Sequence, residues 1–309
     1  MNRKGIDMER RTVYFHSEGD QIEAFLYLPS DMSTPPPVVV LAGGWCYVKE
    51  LVQPIYAEAF AEAGLAVLLF DYRRLGGSEG EPRQHLDPWD QIEDYRNAIS
   101  YLKTLPEVDA SRVGVWGISY SGGHVLIVGA IDPRVKAVVA IVPVVDGYQN
   151  LRLAHGTVGF RRLRAQIAES RKRRYETGED DFMPHGSADP VADLVTWPFP
   201  ASQPTFAYLK ETQAPAYENR ATVRSTEMLL GYTVEGYIHR LTDIPTMMVV
   251  AEQDDHTHWD LEIDVFNRIP SGKKTLQVVE KSGHLGLYRD PERIGRVAVD
   301  CAKWFVRWL

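Results

Sequence analysis

Short apolar runs alternate with longer stretches of helical periodicity along most of this chain. Thr12 to His16 and Ile22 to Leu28 are short runs rich in β-branched, aromatic and aliphatic residues and predict an opening antiparallel pair. Pro37 to Leu41 follows as a continuous apolar run, the mark of a strand buried on both faces. The pattern then predicts a helix from about Leu51 to Ala63, a strand over Ala66 to Phe70, and a helix from about Trp89 to Leu105. A further strand leads into Val113 to Ile118, and another covers Val135 to Val142. Strands resume at Pro245 to Val250 and Thr275 to Val279, and an amphipathic helix from about Pro291 closes the chain. Alternation of this kind predicts an α/β fold, a mostly parallel sheet with helices on both faces.

The rhythm stops between Asp146 and Tyr237, where helical and irregular segments rich in aromatics and charge show no clear strand. An insertion between two sheet strands, in a fold whose chemistry sits at strand ends, reads as a helical cap over the site. Residues 1–145 and 238–309 are therefore expected to form the core and 146–237 the cap.

Val113 to His124 reads Val-Gly-Val-Trp-Gly-Ile-Ser-Tyr-Ser-Gly-Gly-His. An apolar strand breaks there at a serine flanked by small residues and resumes as a helix, which is the sequence form of a nucleophile elbow. The elbow forces Ser119 into a strained conformation, so the residues two before and two after it must be small. They are Gly117 and Ser121, the second in place of the commoner glycine. A literal Gly-x-Ser-x-Gly match falls instead on Ser78, but that segment runs into Glu81-Pro82-Arg83 and reads as loop.

A nucleophilic serine needs a base, and the base needs an orienting acid. The strand ending near Ala251 runs into Glu252-Gln253-Asp254-Asp255, and the one ending near Glu280 into Lys281-Ser282-Gly283-His284. This predicts Ser119, Asp254 and His284 as catalytic residues, with Asp255 as the main rival for the acid and Asp146 a remote third. The oxyanion needs two backbone N–H donors. Tyr120, after the nucleophile, supplies one; Trp45, in the Ala42-Gly43-Gly44-Trp45-Cys46-Tyr47 loop, is the expected second.

The chain resembles the α/β-hydrolases of the dienelactone-hydrolase and X-Pro-peptidase-like branch, and within it the polyketide transferase group. The likeness rests on Lys49-Glu50, Asp71-Tyr72-Arg73, Gly76 to Arg83, Asp87-Pro88-Trp89, the elbow, Ala251 to Asp254 and Gly283-His284. Such proteins usually carry His-Gly-Phe-Gly where this chain has Gly43-Gly44-Trp45-Cys46. X-Pro-type relatives place a tyrosine hydroxyl in the oxyanion hole, and the resemblance offers Tyr47 for that place.

Composition narrows the partners. A net charge of −8 over 309 residues lacks the basic excess that nucleic acid or an anionic membrane requires. The basic residues between Arg161 and Arg174 are followed by Glu176, Glu179, Asp180 and Asp181, as on a solvated helix. Met1 to Arg11 carries no apolar core, so no secretory signal is read there, and a cytoplasmic location is expected. Two cysteines far apart show no disulfide framework. Asp254-Asp255-His256-Thr257-His258 has metal-ligand residue types, but the triad accounts for the acids, so no metal and no cofactor are expected.

The expected function is hydrolysis of a carboxylic ester of an uncharged, moderately apolar small molecule through an acyl-enzyme. The same triad acting on an amide, a lactone or a carbon–carbon bond, or as an acyltransferase, is the alternative. A hydrolase-fold protein that binds a ligand without catalysis is the remote one. A homodimer is left open.

Overall fold

The computed structural model describes residues 8–30 and 32–309. Most of the segment read above for a signal, residues 1–7, lies outside them. Strands β1 (Met8–Ser17) and β2 (Asp20–Pro29) form the opening antiparallel pair, and β3 (Pro37–Ala42) leads through α1 (Gln53–Glu62) to β4 (Ala66–Phe70). Helix α2 (Pro88–Leu102), β5 (Asp109–Ile118), α3 (Tyr120–Ile131) and β6 (Val135–Ile141) follow. The insertion holds α4 (Gly147–Thr177), β7 (Phe182–Pro184), α5 (Ser202–Thr212), β8 (Arg220–Thr222), α6 (Val223–Leu230) and α7 (Glu235–Ile238). The chain ends with β9 (Thr246–Ala251), α8 (Trp259–Arg268), β10 (Lys274–Val279), α9 (Gly286–Arg289) and α10 (Pro291–Trp308).

The eight-stranded sheet runs in the order β1-β2-β4-β3-β5-β6-β9-β10, parallel from β4 to β10. Its inner strands are buried along nearly their whole length, which requires cover on both faces and explains their unbroken apolar runs. Right-handed crossovers supply that cover. The step from β3 to β4 runs toward one edge and the steps from β4 to β5 and onward run toward the other. Helix α1 therefore lies on one face, where it packs on α10, and α2 and α3 pack together on the opposite face. The reversal leaves a crevice at the carboxyl ends of β3 and β5, the place where sheets of this type bind ligands.

Two features depart from the sequence reading. The insertion contains a strand pair, β7 with β8, of three residues each, too short for any period-two pattern to show. Helix α4 breaks at Gly156, whose φ of 60° a side chain would strain. Among the described residues no helix is long and apolar enough to cross a membrane.

Candidate active site

Ser119 sits between β5 and α3 with φ 58° and ψ −117°, a conformation costing about 1–3 kcal/mol that persists only where its surroundings enforce it. Here they do. Its N–H donates to Ile141 O, and its carbonyl accepts from Val144 N, so β6 and the segment after it hold both sides of the turn. A Cβ on Gly117 would sit 2.2 Å from the Ser121 carbonyl oxygen, so only glycine fits there. Ser121 is fully buried, and its hydroxyl accepts from Ile118 N at 3.1 Å and donates to Ala42 O at 2.7 Å. The residue that departs from the common motif thus joins the elbow to the end of β3.

The loop after β3 brings Trp45 and Tyr47 to this serine. Gly44 passes so close that an added Cβ would lie 2.9 Å from Ser119 Cβ and 2.8 Å from the Tyr47 ring. The Trp45 ring packs on Tyr120, and among the described residues neither Trp45 N–H nor Tyr120 N–H finds an acceptor. Burial pushes the Tyr47 phenol up, and its ring packs edge-on against Tyr288. Behind the loop, Lys49 Nζ is buried and paired with Asp71, Glu23 and Glu50, which pins the loop to the turn after β4. Ser78 belongs to that buttress, donating to Asp71 O and accepting from Glu23 N.

Asp254 and His284 come from the turns after β9 and β10. His284 Nδ1 lies 2.7 Å from Asp254 Oδ2, and Asp254 Oδ1 accepts from the N–H groups of His256 and Thr257. Burial would raise this carboxyl, but the charge and hydrogen bond of His284 outweigh it and hold Asp254 low, at about 2. The neighbouring Glu262 carboxyl is pushed well up by burial and by the Asp254 charge. Asp255, the rival acid, bonds His256 Nδ1 at 2.9 Å instead, and Asp146 caps α4 by accepting from Gln149 N. His284 Nε2 has one partner among the described residues, the Tyr288 hydroxyl at 3.5 Å. The Ser119 to His284 hydrogen bond is therefore not made in this conformation.

A column of rings fixes the base. Phe199 stacks on His256 at 3.7 Å, His256 on His284 at 4.9 Å, and His284 on Tyr288 at 5.4 Å. His256 Nε2 also meets Ser202 Oγ at 3.1 Å, linking the insertion to the turn that carries Asp254. Burial lowers His256 below the ordinary imidazole value, although Asp255 opposes it, which leaves a neutral ring against His284. Asp254, Asp255 and His256 hold ligand-type atoms within 4.8 Å of one another, but the hydrogen bonds above already engage them.

Ser119 and His284 share a small cavity walled by Trp45, Tyr47, His185, Trp197, Phe206, His256 and Thr257. His185, Trp197 and Phe206 come from the insertion. His185, Tyr288 and the stacked role of His256 escaped the sequence reading, because only the folded insertion and the turn after His284 bring them there. Cys46 is turned away, its thiol 3.4 Å from Arg220 O and pushed well up by burial, so it is no thiolate. His124 is a core residue bonded to Tyr232 and Gln91.

The family model for X-Pro dipeptidyl-peptidase (S15 family) matches residues 18–286, which takes in the elbow and both later strand ends. The chain belongs to the S15 family. Among the chain's relatives, the thiohydrolase aneE of Aspergillus aculeatus is 29% identical over 254 residues, 81% of this chain and 79% of that protein. The quorum-quenching protein AidA of Acinetobacter baumannii is 41% identical over 139 residues, 45% of each chain. The crystal structure of the α/β-hydrolase GrgF from Penicillium sp. sh18 superposes with a TM-score of 0.78 at 24% identity, covering 97% of this chain and 99% of that one. Hydrolases and acyltransferases both occur among these relatives, and the fold is that of an α/β-hydrolase.

Proposed function

We propose that this chain is a serine hydrolase that cleaves a carboxylic ester or thioester of an uncharged, moderately apolar substrate through an acyl-enzyme. The observation that carries this reading is the 2.7 Å contact between Asp254 and His284 in the same cavity as a strained elbow serine. Rotation of Ser119 Oγ toward His284 Nε2 makes it reactive. As Oγ bonds to the substrate carbonyl carbon, its proton passes to Nε2, and Asp254 stabilises the imidazolium. The N–H groups of Trp45 and Tyr120 hold the oxyanion, with the Tyr47 hydroxyl as a third donor, each worth about 3 kcal/mol of barrier. The imidazolium protonates the leaving oxygen or sulfur, and the acyl group stays on Ser119. His284 then takes a proton from water as the water oxygen bonds to the acyl carbon; the acyl–Oγ bond breaks, the imidazolium returns the proton to Ser119 Oγ, and the acid leaves.

Residues 146–237 act as a cap. Trp197 and Phe206 from the cap, with Trp45 and Tyr47 from the core, give the cavity aromatic walls, which favours an apolar substrate portion over a charged one. The test is product analysis on matched oxygen esters and thioesters with and without added alcohol. Free acid as the main product supports hydrolysis. Ester of the added alcohol as the main product would make the chain an acyltransferase, and turnover surviving in Ser119→Ala would overturn the reading.

A further inference from the structure

The cavity wall opposite the core contains an imidazole held more firmly than packing alone requires. His185 follows β7, its N–H donates to Asn219 O at 3.2 Å, and its carbonyl accepts from Trp197 N at 3.0 Å. Its ring packs against Phe206, Tyr217 and Tyr47. Nδ1 lies 2.8 Å from the Tyr217 hydroxyl, and we assign the ring proton to Nδ1 from the bonds around it. Asn219 is oriented by Gly186, whose N–H donates to Asn219 Oδ1 and whose carbonyl accepts from Nδ2. The Tyr217 hydroxyl donates to that same Oδ1 at 3.3 Å, so its oxygen is left to accept from His185 Nδ1–H. Nε2 is then an unprotonated acceptor, and it has no partner among the described residues although its ring lines the cavity. Burial, with His256 and His284 adding to it, pushes His185 down to about 3, so it stays neutral near pH 7.

We infer that His185 Nε2 is a specificity-determining acceptor for a hydroxyl group on the substrate's acyl portion. The inference rests on the hydrolase reading and narrows its substrate class to hydroxyacyl esters and thioesters. An acceptor fixed among aromatic rings rewards a hydroxyl and leaves itself unpaired against the corresponding deoxy compound. Among the other polar groups of the wall, His256 is engaged by Asp255 and Ser202 and His284 Nδ1 by Asp254, whereas the Trp45 indole N–H is a donor rather than an acceptor.

The experiment compares 4-nitrophenyl esters in matched pairs, each differing by one hydroxyl at C2, C3 or C4 of the acyl chain. One pair should show a preference for the hydroxyl in kcat/KM of about tenfold or more. The preference is a ratio within one protein preparation, so general losses of activity cancel. It should fall below about threefold in His185→Phe. In Tyr217→Phe, where Nδ1 loses its fixed acceptor, it should be reduced. The same pairs as methyl esters are measured for binding to Ser119→Ala by calorimetry, a readout that does not need turnover or a foldable His185 variant. No preference in either assay, or a preference unchanged in His185→Phe, overturns the inference. Hydrolysis without preference leaves the hydrolase reading standing, whereas binding preference without hydrolysis removes that reading and keeps the recognition.

Discussion

The Ser121 hydroxyl donates to the Ala42 carbonyl at 2.7 Å, tying the nucleophile elbow to the strand that carries the oxyanion loop. Tyr95 makes the parallel tie, accepting from Ala42 N and donating to Trp116 O. Both clamps lie within the core. Ser121→Ala would leave Ala42 O and Ile118 N without their buried partner, at a cost of about 1–3 kcal/mol. Urea denaturation should show that loss, and kcat should fall in the same variant while Ser119 remains present.

Gly44→Ala tests the close passage of the loop. Its Cβ would press on Ser119 Cβ and the Tyr47 ring, shifting the Trp45 N–H by a fraction of an ångström. A drop in kcat of about 10² to 10³ with little change in melting temperature is expected, the effect of losing one oxyanion donor. Unchanged kcat would mean the loop takes no part in the reaction.

The two adjacent acids should separate cleanly. Asp254→Asn keeps the turn but removes the charge beside His284, and kcat should fall by about 10⁴. Asp255→Asn touches only His256 and should cost far less. Comparable losses from the two would contradict the assignment of Asp254 to His284.

Stability should fall with acid because several imidazoles are buried neutral. Burial lowers His124 to about 3, so between its unfolded value, about 6.5, and that figure the unfolded chain binds a proton that the folded chain does not. Stability then rises with pH in this window, by about 1.4 kcal/mol per unit for each such group. His85 and His185, also lowered to about 3, add in the same direction. Urea midpoints at pH 7, 6, 5 and 4 should decline steadily, and His124→Gln should decline less steeply by about one proton. A flat profile would contradict the neutral burial of these rings.

Legibility in the sequence followed the range of the interactions. The parallel strands were readable because burial on both faces makes Val38 to Leu41 and Val138 to Ile141 apolar throughout. Ser119, Asp254 and His284 were readable as candidates because strand ends and short turns are local features. Which aromatic side chains of the insertion line the cavity was not, since Trp197 and Phe206, like His185, reach it only through the path of the insertion. Tyr288 lies four residues beyond His284, yet only the turn into α9 aims its hydroxyl at Nε2. The hydrogen bonds that make Ser121 acceptable in place of glycine depend on Ala42, 79 positions earlier.

The most direct test of an activated serine at the elbow is intact mass after treatment with a fluorophosphonate probe, on the wild type, Ser119→Ala and Ser78→Ala. The account predicts one adduct on the wild type and on folded Ser78→Ala, and none on Ser119→Ala. An adduct that persists in Ser119→Ala, or a wild type that takes none, would contradict it.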